Sequence, residues 1–221
     1  MYRNQWLLAG LAALCLATPA FGQGDTWQRK WYWGAEGGIF SYKDALTLKR
    51  KFVPTVGGHW MITGKRSALM IAFDQVLFKD STQTAVVDAS AVATGGIRMV
   101  NFTTLRRIQA EVFAVPMDGP LQVMLGGGFT IHQVTNAQPL GPFASLQESQ
   151  NASQVVSDVA TKAFIVYAVG AQYRISRLAL FALYNYSPGS NDFLITSDSH
   201  ILNVGIRYSL TSAHEDVTTD R

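Results

Sequence analysis

The chain has 221 residues, of which 48% are hydrophobic and only 15% charged, against about 25% charged in an average soluble domain. Its net charge of +3 comes with no basic stripe interleaved with aromatics, so nucleic acid is not an expected partner. Cys15 is the only cysteine, which excludes an intrachain disulfide as the means of holding the fold together.

Residues 1–22, "MYRNQWLLAGLAALCLATPAFG", carry Arg3, an apolar stretch from Trp6 to Ala17, then Pro19 and the small residues Ala20 and Gly22. The stretch is too short to span a bilayer and has the layout of a cleaved export signal. Its removal would take away both Cys15 and one positive charge. Residues 23–210 are read as one β domain and 211–221, "TSAHEDVTTDR", as a polar tail.

After the signal, one unit recurs: about ten residues of period-two alternation followed by turn chemistry. In 30–40, Trp31, Trp33, Ala35 and Ile39 oppose Tyr32, Gly34, Glu36 and Gly38. In 52–63, Phe52, Val56, Trp60 and Ile62 oppose Thr55, Gly57, His59 and Thr63. In 68–78, Leu69, Ile71, Phe73 and Leu77 oppose Ala68, Ala72 and Asp74. Segment 108–115 sets Ile108, Ala110, Val112 and Ala114 against Gln109 and Glu111. Segment 121–133 sets Leu121, Val123, Leu125, Phe129 and Ile131 against Gln122, Gly126, Gly128, Thr130 and His132. In 162–175, Ala163, Ile165, Tyr167, Val169, Tyr173 and Ile175 oppose Lys162, Gly170, Gln172 and Arg174. Segment 178–187 places Leu178, Leu180, Tyr184 and Tyr186 on one face and Asn185 on the other. In 200–210, Leu202, Val204, Ile206, Tyr208 and Leu210 form the apolar set. His200, Asn203, Gly205, Arg207 and Ser209 form the polar one, with Ile201 a misfit.

Three connections are very short ("TGKRS", "MDGP", "SR") and the others long, which is the plan of an outer-membrane barrel. The expected fold is an all-β, eight-stranded antiparallel transmembrane β-barrel. Segment 85–102 is also strand-like, and such a barrel should have an even number of strands. We therefore assign it to the long loop or to an upward extension of the fourth strand, with ten strands as the alternative. The less hydrophobic faces are rich in Gly, Ala and Gln with isolated charges. That composition suits a narrow packed lumen better than the wet face of a soluble sandwich or lipocalin-like barrel.

The sequence resembles small OmpA-type outer-membrane β-barrel proteins over residues 27–210, with the sharpest local match in "NVGIRYSL". There Asn203, Gly205, Tyr208 and Leu210 occupy positions similar to the barrel-assembly signal of such proteins. The resemblance implies export to the outer membrane, insertion by the barrel-assembly machinery, and contact with outer-membrane lipid and lipopolysaccharide. It also implies that the apolar set faces lipid and that Trp31, Trp33, Tyr173 and Tyr208 form an aromatic girdle.

The same alternation sends Glu36, His59, Asp74, Glu111, His132, Lys162, Arg174 and Arg207 inward. Charges so confined must pair, so the expectation is an ion-pair network that closes the lumen; a small diffusion pore is the competing reading. A lipid A-modifying enzyme is the other alternative, because "SDSH" (197–200) places Asp198, Ser199 and His200 together. Neighbours on an extended chain point to opposite faces, however. No spacing predicts a metal site, and "LGGGF" lies within a strand, so no cofactor is expected. Lys43, Lys49, Arg50 and Lys51 make a basic surface loop suited to lipid phosphates. Loop 134–161 is where an extracellular ligand would bind. The predicted role is structural or interactional, without catalysis.

Overall fold

The computed structural model describes residues 27–91, 94–117 and 119–212; the predicted signal (1–22) and most of the polar tail lie outside them. Among the described residues nine strands form in chain order: β1 (Lys30–Lys43), β2 (Arg50–Thr63), β3 (Ser67–Val87), β4 (Ile97–Ala114), β5 (Leu121–Thr135), the two-residue β6 (Gln138–Pro139), β7 (Thr161–Ile175), β8 (Leu178–Ser187) and β9 (Ser199–Ser212). One helix, α1 (Leu146–Asp158), interrupts them between β6 and β7.

Every barrel strand is antiparallel to its neighbours. The order β3-β2-β1-β9-β8-β7-β5-β4 is closed by a β3–β4 pairing, which leaves no edge. The result is an eight-stranded barrel, with β6 added only to the top of β4, where Val100 faces Pro139 and Asn101 faces Gln138. Closure is the physical requirement for a sheet that meets lipid, since an open edge would expose unpaired backbone groups to hydrocarbon.

Segment 85–102 resolves the parity problem. Ala85–Val87 continue β3, Ile97–Phe102 begin β4, and the two halves pair with each other, Val87 opposite Ile97 and Thr84 opposite Val100. The register slips between Leu77 and Thr82, where this hairpin leaves the barrel wall. The extension therefore belongs to both strands. The other long-loop connections also shorten because strands consume them; β1 to β2 is joined by residues 44–49 alone.

Alternation along each strand gives an inside-out burial pattern. The apolar residues Val204, Ile206 and Phe129 are 56%, 50% and 66% exposed, whereas Arg107 and Arg207 are almost wholly buried. From Leu121 to Ile131, β5 presents an outward apolar run roughly 26 Å tall, taking about 3.4 Å per residue and a tilt near 40°. That height matches the apolar band of a membrane barrel. The lumen is narrow enough that inward glycines are needed opposite large groups. A Cβ on Gly34 would collide with the His59 ring, and one on Gly57 with the Asp74 carboxylate.

Two placements differ from the sequence reading. His200 shares the parity of Leu202 and lies on the outer wall rather than with the polar set. Ile201, the misfit, is buried inward in an apolar cluster with Phe40, Phe164 and Leu194.

Segment 134–161 is more structured than a solvated loop. Ser145 caps α1 by accepting from the Glu148 N–H at 3.1 Å, and Glu148 Oε2 accepts from Ala144 N–H at 2.6 Å. This is close to a capping box. The helix buries Ala152 and Val156, and Val156 joins the apolar cluster at the long-loop end.

Candidate functional site

The lumen is filled in three layers, which can be read along single strands. On β4 the inward residues run Leu105, Arg107, Gln109, Glu111, Phe113; on β1 they run Phe40, Gly38, Glu36, Gly34, Tyr32. Leu105 and Phe40 belong to the apolar cluster at the long-loop end, and Phe113 and Tyr32 to a second cluster at the short-turn end with Met61, Met70, Met124 and Phe181. The polar residues lie between them.

Arg107 organises the polar layer. Its Nη1 donates to Asp74 Oδ2 at 2.9 Å, its Nη2 to Gln109 Oε1 at 2.6 Å and its Nε to His132 Nε2 at 3.2 Å. Gln109 Nε2 donates to the same Asp74 oxygen at 2.8 Å. Asn185 Nδ2 then bridges Gln109 Oε1 and Glu111 Oε1 at 3.0 and 2.9 Å. Both ends of the Arg107–Asp74 pair are fully buried. His59 Nδ1 lies 3.1 Å from Glu36 Oε2, close enough for an ion pair but not aligned as a hydrogen bond.

Thus Asp74, Glu111 and His132 join these hydrogen bonds, while Glu36 and His59 face each other in the same layer without joining them. The other three predicted lumen residues lie away from the layer. Arg207 lies toward the short-turn end, its guanidinium 4.0 Å over the Phe181 ring and its Nη1 3.2 Å from Gln172 Oε1 and 2.9 Å from Met61 Sδ. Among the described residues no carboxylate reaches it within salt-bridge distance. Lys162 sits at the long-loop rim and pairs with exposed Asp192 at 2.9 Å. Arg174 is half-buried at the short-turn rim and donates to Gly119 O at 3.3 Å. The alternation read from Ile108 onward omits Arg107; carried back one residue, it places Arg107 with Gln109 and Glu111.

The outward residues stand as follows. Trp31, Trp33, Tyr173 and Tyr208 are all on the outer wall toward the short-turn end and 42–57% exposed, with Trp33 directly opposite Tyr208. Asn203 and Gly205 face inward, Tyr208 and Leu210 outward. In the basic loop, Lys51 pairs with Asp44 at 2.7 Å and Arg50 with Asp198 at 2.9 Å, while Lys43 and Lys49 are exposed.

Two polar clusters lie above the barrel wall or at its upper rim. Arg98 clamps the β3–β4 hairpin to the α1 segment, with Nε 2.6 Å from Asp88 Oδ2 and Nη2 2.6 Å from Glu148 Oε1. It also stacks 4.7 Å over the Phe143 ring. Burial acts to raise the Asp88 pKa, but hydrogen bonds from Ser90 and Arg98 outweigh it and hold the carboxyl below its usual range. Glu148 is held low first by the Ala144 N–H and then by Arg98. In the second cluster, His200 Nε2 meets Asp198 Oδ2 at 2.6 Å and its Nδ1 meets the Tyr184 hydroxyl at 2.6 Å. Ser199 is buried on the opposite side of the strand, so "SDSH" does not assemble a serine–histidine pair. No group of metal-ligating side chains converges among the described residues.

No protein-family model matches the chain, and no characterised protein matches it by sequence. By fold it is similar to Neisserial surface protein A (NspA), with 13% identity and a TM-score of 0.55 over 81% of this chain and 97% of that one. It is also similar to the outer membrane protein OprG of Pseudomonas aeruginosa (8% identity, 83% of this chain and 97% of that one, TM-score 0.46). A third likeness is to a major outer membrane protein of Thermus thermophilus (11% identity, 81% and 99%, TM-score 0.40). The likeness to NspA, together with the closed eight-strand order, establishes the architecture of a small outer-membrane β-barrel.

Proposed function

We propose that this chain is a non-catalytic outer-membrane barrel that anchors in the membrane with a closed lumen and presents its long loops at the cell surface. The observation that carries the reading is the three-layer filling: the Arg107–Asp74–Gln109–Asn185–Glu111 network lies between two apolar clusters. A diffusion pore needs a continuous wet path, and both clusters obstruct one. In this reading the short-turn end is periplasmic, and Trp31, Trp33, Tyr173 and Tyr208 form the girdle at that interface. The segment around Asn203, Gly205, Tyr208 and Leu210 serves as the assembly signal, and the export signal at 1–22 delivers the chain.

His200 is held by Tyr184 and Asp198, and Ser199 is buried on the other side of the strand, so no serine nucleophile is paired with this imidazole. The test is reconstitution into planar bilayers alongside mass spectra of lipid A from cells with and without the protein. The reading expects no unit conductance and unchanged lipid masses. Stable current steps would replace it with a pore, and a mass change with a lipid-modifying enzyme.

A further inference from the structure

The outer wall carries a groove of about 510 Å³ just below the long-loop rim, where β2, β1, β9 and β8 run side by side. Its polarity changes along the barrel axis. In the lower part Ile39 lies opposite Leu202, and Leu202 opposite Tyr184. One step higher, Ser41 lies opposite both His200 and Phe52. Arg50 closes the top. The groove is thus mostly apolar, with Phe52 carrying that surface up to the Ser41 level, and its polar groups, Ser41, His200 and Arg50, are gathered at the rim end, an arrangement that matches an amphiphile in the upper leaflet.

The polar end is built rather than incidental. Arg50 Nη2 donates to Asp198 Oδ2 at 2.9 Å and Nη1 reaches toward Ser41 Oγ at 3.4 Å. Asp198 is in turn held by His200, which Tyr184 fixes from below. A guanidinium has five N–H donors, so most of those on Arg50 are available to a further acceptor, and its side chain is 36% exposed. Asp198 offsets Arg50 and Asp44 offsets Lys51, which leaves Lys43 and Lys49 as the local surplus of positive charge. Phe52, at 70% exposure, and Leu48, at 67%, flank these cations. Such a mixture of bare apolar surface and cations is unfavourable in water but suited to the boundary between acyl chains and headgroups.

We infer that this groove holds one phosphate-bearing membrane lipid of the outer leaflet, with an acyl chain along Ile39, Phe52 and Leu202 and its headgroup phosphate on Arg50. The inference rests on the membrane-barrel reading above. Arg50 supplies the planar donor fork that suits phosphate oxygens, and Lys43 and Lys49 add a longer-range pull. The Tyr184–His200–Asp198 chain is the positioning element that keeps the Arg50 side chain over the groove.

The test is native mass spectrometry of the full chain in non-ionic detergent, titrated with bis-phosphorylated lipid A and, separately, with the same lipid after its phosphates are removed. Wild type is expected to take one equivalent of the phosphorylated form at least tenfold more tightly than the dephosphorylated one. Arg50→Gln should lose most of that preference, keeping only the residual pull of Lys43 and Lys49, while Lys162→Gln, a rim cation on β7 outside the groove, should bind as wild type does. Equal binding by Arg50→Gln and wild type overturns the inference. So does an equal loss in both variants, or a statistical spread of adducts without a preferred first one. Each sample is first run unboiled and boiled on a gel. A missing mobility shift in wild type rejects the membrane-barrel reading and this site with it, whereas a shift with no preferred lipid rejects the site alone.

Discussion

Substituting Asp74 by Asn and Arg107 by Met, singly and together, measures how strongly the lumen network holds the barrel. Asp74 Oδ2 accepts from Arg107 Nη1 at 2.9 Å and from Gln109 Nε2 at 2.8 Å, with both charged side chains fully buried. Asp74→Asn preserves volume beside Gly57 and can keep the acceptor, but it leaves the guanidinium without its closest countercharge. Removing one partner of a buried pair costs about 3–5 kcal/mol, and the retained hydrogen bond puts Asp74→Asn near the lower end of that range. Arg107→Met also strips the donors to Gln109 and His132, so it should cost about 4 kcal/mol or more. The double variant has no uncompensated member of the pair, so it should be less destabilised than the sum of the singles by about 2–3 kcal/mol. The assay is urea titration of the folded fraction, read from the unboiled gel band and tryptophan fluorescence in detergent. Additivity to within about 0.5 kcal/mol, or single costs below about 1 kcal/mol, would refute the claim that this pair is a coupled buried unit.

Other consequences follow from the same geometry. Gly34→Ala places a Cβ into the His59 ring, whereas at Gly37 the nearest atom to a new Cβ is Thr55 O at 3.6 Å. Refolding yields should therefore drop for Gly34→Ala, at a cost of about 1–3 kcal/mol, and stay unchanged for Gly37→Ala; equal yields would contradict a tight lumen. Ile206→Arg on the outer wall should cost about 2–4 kcal/mol when stability is measured in lipid vesicles, and no cost there would mean that this face is not in hydrocarbon. The Asp88–Arg98–Glu148 clamp has a pH dependence of definite sign. Because both carboxyls titrate below their ordinary range, near 4, their stabilisation is present above that range and is lost as the pH falls through the lowered values. Amide exchange in 88–91 and 144–158 should be slow at pH 7 and, after correction for intrinsic rates, lose its protection below about pH 4. The barrel strands should stay protected, and unchanged protection of both segments down to pH 3 would contradict the clamp.

The barrel is legible in the sequence because its pattern is simple: strict alternation with the apolar set continuous and the polar set rich in glycine. Where strands rise above the membrane the pattern changes, and their boundaries blur. Thr82–Val87 and Ile97–Phe102 pair with each other outside the apolar band, so neither face need be lipid-compatible, and their alternation gives no sign of which strand owns them. Ile201 is an error in the alternation only if the lumen is polar throughout; its upper layer is apolar. The α1 segment carries a usable signal in Ser145 and Glu148, three residues apart. Arg107 follows from parity, but its partners do not, because the Asp74–Arg107 and Arg107–His132 contacts depend on the strand stagger. The Tyr184–His200–Asp198 chain likewise crosses two strands and a loop, whereas adjacency in sequence points to Ser199, which faces the other way.

Whether the apolar face of the last strand meets lipid decides the whole assignment. Single spin-labelled cysteines at Leu202, Val204, Ile206, Tyr208 and Leu210 in vesicle-reconstituted protein report on it, through their collision rates with oxygen and with a water-soluble nickel chelate. A lipid-facing strand gives high oxygen and low nickel accessibility at Val204 and Ile206, with nickel accessibility rising toward Leu202 and Leu210. Uniformly high nickel accessibility along the strand would contradict this, because that face would then be in water.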